Sequence, residues 1–178
     1  MAAMIERAEL HKTIWRIAND LRGSVDGWDF KSYVLGFLFY RFISEKLTDY
    51  VNASEREGIL SEGGTPEEAA AFDYATLSDE EAESDRENIV REKGFFIRPS
   101  DLFGNVRARA AADENLNETL AYVFRFIENS ARGSGSESDL RGLFDDVDVN
   151  STKLGNTVAK RNAKLVKIMD AVGDLPLE

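Results

Sequence analysis

The chain contains no cysteine, one histidine and three prolines among its 178 residues. Without cysteine it can form no disulfide bond, no thiolate metal site and no cysteine nucleophile. The single histidine, His11, lacks a second histidine or cysteine with which to build a metal site or a catalytic dyad. These absences argue against a secreted, disulfide-stabilised protein and favour a cytoplasmic one.

Long apolar runs are also missing. The most apolar stretch, residues 33–43, contains Arg41 and is shorter than the roughly 20 residues that a membrane-spanning helix needs. The N-terminus has no continuous apolar segment of the kind found in secretion signals. A hydrophobic content of 43% is ordinary for a globular protein, so we expect one domain with a core and no membrane association.

Acidic residues outnumber basic ones, and the net charge of −11 is concentrated in the middle of the chain. Residues 51–92 hold 13 acidic and three basic side chains, whereas residues 1–50 hold seven of each and residues 93–178 hold 13 and 12. So many carboxylates cannot be buried unpaired. Within a single domain, 1–178, we therefore predict a helical hairpin over 1–52, an acidic segment of surface helices and loops over 53–92, and a helical C-terminal part over 93–178.

Apolar spacing predicts a first helix that is amphipathic. Leu10, Ile14, Ile17 and Leu21 recur at intervals of four, three and four residues, which places them on one helical face. Such a helix needs a partner to cover that face. Gly23 and the following Asp-Gly pair then break the pattern and indicate a turn.

A second helix is predicted over residues 30–51, with Asp29 as its N-cap. Apolar side chains leave little polar face on its first half, so we expect neighbouring helices to enclose it. Gly36 in its middle is unfavourable for an exposed helix and predicts the close approach of a neighbouring helix. The fold class that follows is all-α, a multi-helix bundle around a long buried second helix.

Shorter signals organise the rest of the chain. Two capping-box patterns, 65–68 and 78–81, predict short helices in the acidic segment. Glycine-rich stretches at 58–64 and 133–138 predict mobile connections. The apolar run 94–97 ends at Arg-Pro and predicts a short strand or extended segment.

Two further helices are predicted in the C-terminal part. Ser100 is positioned to cap the first. The second carries its apolar face on Leu116, Leu120, Val123, Phe124 and Ile127. The acidic cluster that follows, Asp145, Asp146 and Asp148, lacks the glycine and distal glutamate of a calcium-binding EF-hand loop, so we interpret it as loop and cap residues.

Four segments occur in an order typical of one protein family. They are LHKTIWRIANDLRG, DFKSYVLGFLFYRFISEKL, GFFIRPSDLF and DDVDVNSTKLGNTVAKRNAKLVKIM, and they run from Leu10 to Met169. In this order they resemble the N-terminal region of the modification (methyltransferase, M) subunit of type I restriction-modification systems. The resemblance covers almost the whole chain.

The resemblance implies a full-length parent that transfers a methyl group from S-adenosylmethionine to N6 of adenine in double-stranded DNA. Its implied partners are a specificity subunit, a second modification subunit and a restriction subunit. The family's Asn-Pro-Pro-aromatic motif, which receives the flipped adenine, is absent because none of the three prolines is adjacent to another. No glycine-rich cofactor turn follows a predicted strand either. We therefore expect an excised domain without its catalytic methyltransferase domain and without catalytic, cofactor-binding or metal-binding residues.

Basic residues concentrate on the last predicted helix, for which Ser151 is a suitable N-cap. Residues 153–167 contain five basic side chains and no acidic one: Lys153, Lys160, Arg161, Lys164 and Lys167. At about 100° per residue the four lysines fall on one stripe. The adjacent stripe is apolar and should be buried; it comprises Leu154, Val158, Leu165, Ile168 and Val172.

We interpret the lysine stripe as a candidate contact to DNA phosphates, because lysines supply charge without base-edge specificity. It could equally be a solvated helix face or bind an acidic surface of a partner subunit. For the domain as a whole, the resemblance implies roles in clamping DNA, assembling subunits and sensing half-methylated sites. The alternative function is a stand-alone acidic helical domain that binds a basic protein and has no enzymatic role.

Overall fold

The computed structural model describes residues 27–176 together with Lys12. Within this part of the chain eight α-helices follow one another: α1 Gly27–Ser61, α2 Pro66–Ala71, α3 Asp79–Glu83, α4 Arg86–Lys93, α5 Phe103–Ala110, α6 Leu116–Ser130, α7 Glu137–Leu140 and α8 Val158–Gly173. Two single-turn 3-10 helices, Tyr74–Thr76 and Pro99–Asp101, lie between them, and the described residues form no strand. The predicted all-α fold is confirmed.

The predicted first helix, with its apolar face on Leu10, Ile14, Ile17 and Leu21, lies outside the described residues, as does His11. From this region only Lys12 is described. It is helical and exposed to solvent.

Helix α1 is 35 residues long and extends beyond its predicted range at both ends. It starts at Gly27, so Asp29 is inside the helix and the prediction that it is the N-cap is wrong. At the other end it continues to Ser61 and crosses the boundary drawn at residue 52, because its later turns still have a packing partner. Arg56 donates a hydrogen bond of 2.8 Å to the carbonyl of Phe72, beyond α2. The chain turns only at Gly63, where φ is +92°.

One face of α1 forms the centre of the core. It packs against α2, α5 and α8. The apolar side chains that it buries are Tyr33, Val34, Phe37, Leu38, Tyr40, Ile43, Leu47 and Val51. On the opposite face Leu35 and Phe42 are about half exposed, at 45% and 48%. The described elements therefore cover one side of this apolar helix.

Gly36 allows a close approach, as predicted, but the approaching group comes from a loop. A Cβ atom added at Gly36 would lie 2.2 Å from Cγ2 of Val147, which belongs to the connection between α7 and α8. Val147 is buried, at 6% exposure. Glycine at this position lets the loop pack directly on the α1 backbone.

Hydrogen bonds at the helix starts confirm two predictions and correct a third. Both capping boxes are present, between Thr65 and Glu68 and between Ser78 and Glu81. Ser100 does not cap α5, since its N–H and hydroxyl both donate to the carboxylate of Asp79.

The first N–H group of α5 is instead capped by a side chain from another helix. The N–H of Phe103 donates to Oγ of Ser44, 3.1 Å away on α1. Ser44 is buried and lies 59 residues before Phe103, so no local sequence pattern links the two. The cap therefore joins α5 to α1 as well as satisfying its first turn.

Residues 94–97 form an extended segment rather than a strand. Gly94, with φ of +86°, ends α4. The N–H of Phe96 donates to Oγ of Ser130 at 2.8 Å, and Phe96 and Ile97 are fully buried. The glycine-rich connection beyond α6 is tied to this segment, because the Ser134 hydroxyl donates to the Gly94 carbonyl at 2.8 Å.

The predicted apolar face of α6 is confirmed, since all five of its residues are buried. The N-terminus of this helix is held by a cluster of side-chain amides, of which those of Asn117 and Asn162 are buried. Oδ1 of Asn162, on α8, accepts from the N–H of Asn117 at 3.1 Å, and its Nδ2 donates to the Glu114 carbonyl at 2.9 Å. Nδ2 of Asn117 donates to Oδ1 of Asn150 at 2.6 Å. The amide cluster joins α6, α8 and the loop before α8.

We predict that Gly36→Ala lowers the free energy of unfolding by about 1–2 kcal/mol, because overpacking against Val147 outweighs the gain of about 1 kcal/mol in helix propensity. Urea denaturation measures it. Gly58→Ala is the control, since Gly58 lies in the same helix with no atom within 4 Å of an added Cβ, and this variant should be stabilised. The double variant Gly36→Ala with Val147→Ala should lose less free energy of unfolding than the sum of the two single variants, because the shortened side chain makes room for the added methyl group. A stabilised Gly36→Ala single variant would contradict the close approach.

We also predict that Asn162→Ala lowers the free energy of unfolding by about 1–3 kcal/mol, because the buried N–H of Asn117 loses its acceptor and the partly buried carbonyl of Glu114 loses its donor. Asn129→Ala, an exposed site on α6, provides the matched control and should change stability by less than about 0.5 kcal/mol. Thermal and urea unfolding of both variants check this expectation. Equal stabilities would show that the amide cluster does not hold α6 and α8 together.

Candidate functional site

The predicted basic site lies around helix α8, which begins later than its sequence suggests. Its N-cap is Thr157, whose hydroxyl accepts from the N–H of Lys160 at 3.2 Å. The prediction of Ser151 as N-cap is wrong, because Ser151 Oγ accepts from the Lys153 N–H within a separate turn. A Cβ at Gly155 would lie 2.7 Å from Cβ of Lys160, so the chain folds back tightly on the first turn of α8.

The structure brings three of the predicted lysines onto one helix face. Lys160, Lys164 and Lys167 share one side of α8, where Lys160 and Lys167 are exposed and Lys164 is half-buried. Lys153 is exposed but lies in the turn before the helix, so the prediction of one four-lysine stripe is wrong for this residue. We call Lys160, Lys164 and Lys167 the lysine face.

Arg161 differs from the lysines because part of its side chain packs against the turn that precedes α8. Its Nη1 donates to the Gly155 carbonyl at 3.1 Å, and its Nε is buried without a hydrogen-bond partner. The guanidinium therefore holds the turn before α8 in place. Less of it is available to a ligand than of the two exposed lysines of the lysine face.

The other side of α8 packs into the core, largely as predicted. Leu165, Ile168 and Val172 are buried, as is Leu154 in the turn before the helix, whereas Val158, predicted to be buried, is 43% exposed because it is the first residue of the helix. Sequence reasoning missed Asn162 and Met169, which are also buried. Their spacing of three and four residues around Leu165 was the available signal. α8 packs against α1, α5 and α6.

Two arginines that the sequence analysis did not single out hold the C-terminal end of α8. Nη1 of Arg41, on α1, donates to the carbonyls of Val172 and Leu175 at 2.7 and 2.6 Å. Positive charge at this end also complements the helix dipole. Arg41 thus fixes the end of α8 to the central helix.

Arg107, on α5, provides the second attachment. It contacts Asp174 at 2.6 Å and Asp170 at 3.1 Å. Its hydrogen bonds to Asp174, and then to Asp170, raise the pKa of the guanidinium. Both acidic side chains that follow the lysine face are therefore paired with a fixed cation.

Acidic residues elsewhere show no metal-binding arrangement in residues 27–176, where no group of three or more histidine or carboxylate side chains could hold a metal ion. Oδ1 of Asp148 accepts from the N–H of Asn150 at 3.0 Å, which is the local role of a loop residue. Among the helices described, none is long and apolar enough to cross a membrane.

Comparisons with known proteins agree with the resemblance that the sequence motifs show. Residues 10–172 match the family described as the HsdM N-terminal domain. The chain is 41% identical over 180 residues to the type I restriction enzyme MpnII methylase subunit of Mycoplasma pneumoniae, which covers 97% of this chain and 31% of that protein.

A solved structure shares the fold. The crystal structure of the type I restriction-modification system methyltransferase subunit from Streptococcus thermophilus aligns with a TM-score of 0.70 and 29% identity, over 96% of this chain and 34% of that one. The chain thus spans about a third of the length of these two relatives. On the extent of the family match and the identity to the methylase subunit, the chain belongs to the HsdM N-terminal domain family of type I restriction-modification methylase subunits.

Proposed function

We propose that this domain helps a DNA methyltransferase subunit to hold duplex DNA, and that the lysine face of α8 contacts the phosphate backbone. The observation that carries the proposal is the combination of three lysines on one side of α8 with no acidic residue between positions 153 and 167. In a chain of net charge −11, such a surface is a local exception. DNA phosphates are ligands that such a basic surface attracts.

The chemistry of lysine favours a contact that does not depend on base sequence. An ammonium group is a compact charge without the fixed donor pattern that reads base edges, so it positions DNA rather than selecting a site. In this proposal the choice of target sequence belongs to the specificity subunit. The attachment of α8 to α1 and α5 through Arg41 and Arg107 keeps the lysine face in a defined position relative to the rest of the domain.

The activity proposed for the whole parent is transfer of a methyl group from S-adenosylmethionine to N6 of adenine in a site-specific manner. This chain corresponds to about a third of its relatives, and we assign the cofactor and adenine sites to the remaining part of the parent. In the cytoplasm the parent would assemble with a specificity subunit, a second modification subunit and a restriction subunit. The domain 1–178 would then contribute DNA clamping, subunit contacts and sensing of half-methylated sites.

A second use of the lysine face is contact with an acidic surface of a partner subunit. Helices α3 and α4 of this chain carry exposed Glu80, Glu83 and Glu87 and are an example of an acidic surface within the family. Binding to protein and binding to DNA differ in a measurable way. Only the DNA contact makes the salt dependence of DNA affinity follow the number of lysines.

We predict that Lys160→Glu combined with Lys164→Glu weakens DNA binding by the assembled enzyme at least tenfold near physiological salt. The slope of log affinity against log salt should fall by about 2, because each lost phosphate contact removes about 0.9 from it. The control is Arg91→Glu with Arg125→Glu, which makes the same change of charge at two exposed sites off α8. DNA affinity and salt slope that do not change in the lysine variant would refute the DNA contact, and a defect confined to subunit assembly would favour the partner contact.

Removing residues 1–178 from the full-length parent tests the role of the whole domain. We expect cofactor binding to persist while DNA retention, or the preference for half-methylated over unmethylated sites, falls at least tenfold. Methyl transfer and DNA binding with the specificity subunit measure both quantities. If DNA binding, site preference and assembly were all unchanged, the domain would have no part in clamping or sensing.

A further inference from the structure

Two carboxylates continue the lysine face beyond its last lysine. Asp170 follows Lys167 by three residues, which places it about 60° away around α8. Asp174 follows Lys167 by seven residues, within about 20° of two full turns, and its backbone still has right-handed helical dihedral angles. Both side chains are exposed, at 54% and 75%. A phosphate backbone lying along the lysine face would therefore meet negative charge at the C-terminal end of α8.

The C-terminal end of α8 is also the negative end of its helix dipole. Arg41 offsets part of this charge through its hydrogen bonds to the last carbonyls of the helix. The carboxylate that Arg41 contacts is Glu45 of its own helix, at 2.7 Å. Among the described residues, the cation that pairs with Asp170 and Asp174 is Arg107.

Arg107 reaches both carboxylates with one guanidinium group. Its Nε lies 3.1 Å from Oδ1 of Asp170, and its Nη2 lies 2.6 Å from Oδ1 of Asp174. Nη2 also donates to the carbonyl of Asp170 at 3.3 Å. Helix α5, from which Arg107 extends, contains no acidic residue, so the guanidinium is not shared with a carboxylate of its own helix.

Gly173 makes room for this guanidinium group. A Cβ atom added at Gly173 would lie 2.2 Å from Nη1 and 2.5 Å from Cζ of Arg107. Gly173 does not have a positive φ, so its backbone conformation does not require glycine. The missing side chain instead lets the guanidinium lie directly against the last turn of α8, within reach of both carboxylates.

We propose that Arg107 is a positioning residue for DNA and acts through the two carboxylates with which it pairs. By holding Asp170 and Asp174 in ion pairs, it lowers the negative charge that a phosphate backbone meets beyond Lys167. The whole length of α8 can then face DNA without repelling it. This inference rests on the proposed contact between the lysine face and DNA.

Breaking the ion pairs from the acidic side separates a role in charge from a role in structure. If Arg107 only attached α5 to α8, Asp170→Asn with Asp174→Asn would weaken DNA binding, and so would Arg107→Met. If Arg107 compensates the carboxylates, the two variants change DNA affinity in opposite directions. The aspartate variant removes two negative charges and strengthens binding, whereas Arg107→Met leaves both carboxylates unpaired and weakens it.

The measurement is the affinity of the full-length parent, assembled with its specificity subunit, for duplex DNA. At low salt we expect a gain of about fivefold for Asp170→Asn with Asp174→Asn and a loss of about threefold for Arg107→Met. Both differences should shrink as the salt concentration rises, because exposed charges are screened. The matched control, Glu80→Gln with Glu87→Gln, removes two negative charges from exposed sites on α3 and α4 and should change the affinity by less than about twofold.

Combining Arg107→Met with both aspartate changes gives a rescue test. This variant lacks the ion pairs but also lacks the unpaired carboxylates, so its DNA affinity should return at least to that of the unmodified parent. An aspartate variant that binds DNA no more tightly than the parent, or a failed rescue, would overturn the role of Arg107 while a weakened Lys160→Glu, Lys164→Glu variant still supported the DNA contact. If that lysine variant bound DNA normally, the proposed contact and this inference would both be refuted.

Discussion

Tyr40, in the first half of α1, is fully buried and contacts four other parts of the fold. It meets the rings of Phe103, Phe124 and Phe144 nearly edge-on, with centroids 5.4, 5.4 and 6.5 Å away. Its hydroxyl donates to the carbonyl of Asp101. Burial, followed by the charge of Asp101, raises the pKa of this hydroxyl well above its usual value, so that it remains a donor. Each such ring pair contributes about 0.5–1.5 kcal/mol beyond the area it buries. One side chain therefore joins α1 to α5, α6, a 3-10 turn and the loop before α8.

The position of the basic surface depends on this core. α8 packs on the helices that Tyr40 brings together, and Arg41, the next residue of α1, binds the carbonyls at the end of α8. The apolar and amide contacts of Leu165, Ile168 and Asn162 hold one side of the helix inward. The opposite side, with the lysine face, is consequently presented on a fixed support rather than on a loose segment. A rigid support is what a backbone contact to DNA needs if it is to position the duplex.

Much of the fold could be predicted because its signals are local or periodic. The apolar face of α6 and the long apolar first half of α1 follow from spacing alone, and both capping boxes join residues three positions apart. The candidate site was predicted less well. The lysines of α8 were identified correctly as a face, but Lys153 was placed on the helix because nothing in the spacing shows that Gly155 folds back against Lys160. The arginines that hold α8 were missed, since their partners are more than 60 residues away.

The sequence by itself determined the helical class of this protein, the family to which it belongs and the separation of an acidic middle from a basic last helix. Each of these depends on residue type and short spacing, which are complete in the linear chain. Only the tertiary structure decided which hydroxyl or amide completes each helix. Ser44 caps α5 from 59 residues away, and the side chain of Asn162 accepts a hydrogen bond from the first turn of α6 although it lies 45 residues further along the chain. A hydrogen bond requires its atoms to lie within about 3 Å, and for residues so far apart in the chain only packing of the core brings them to that distance.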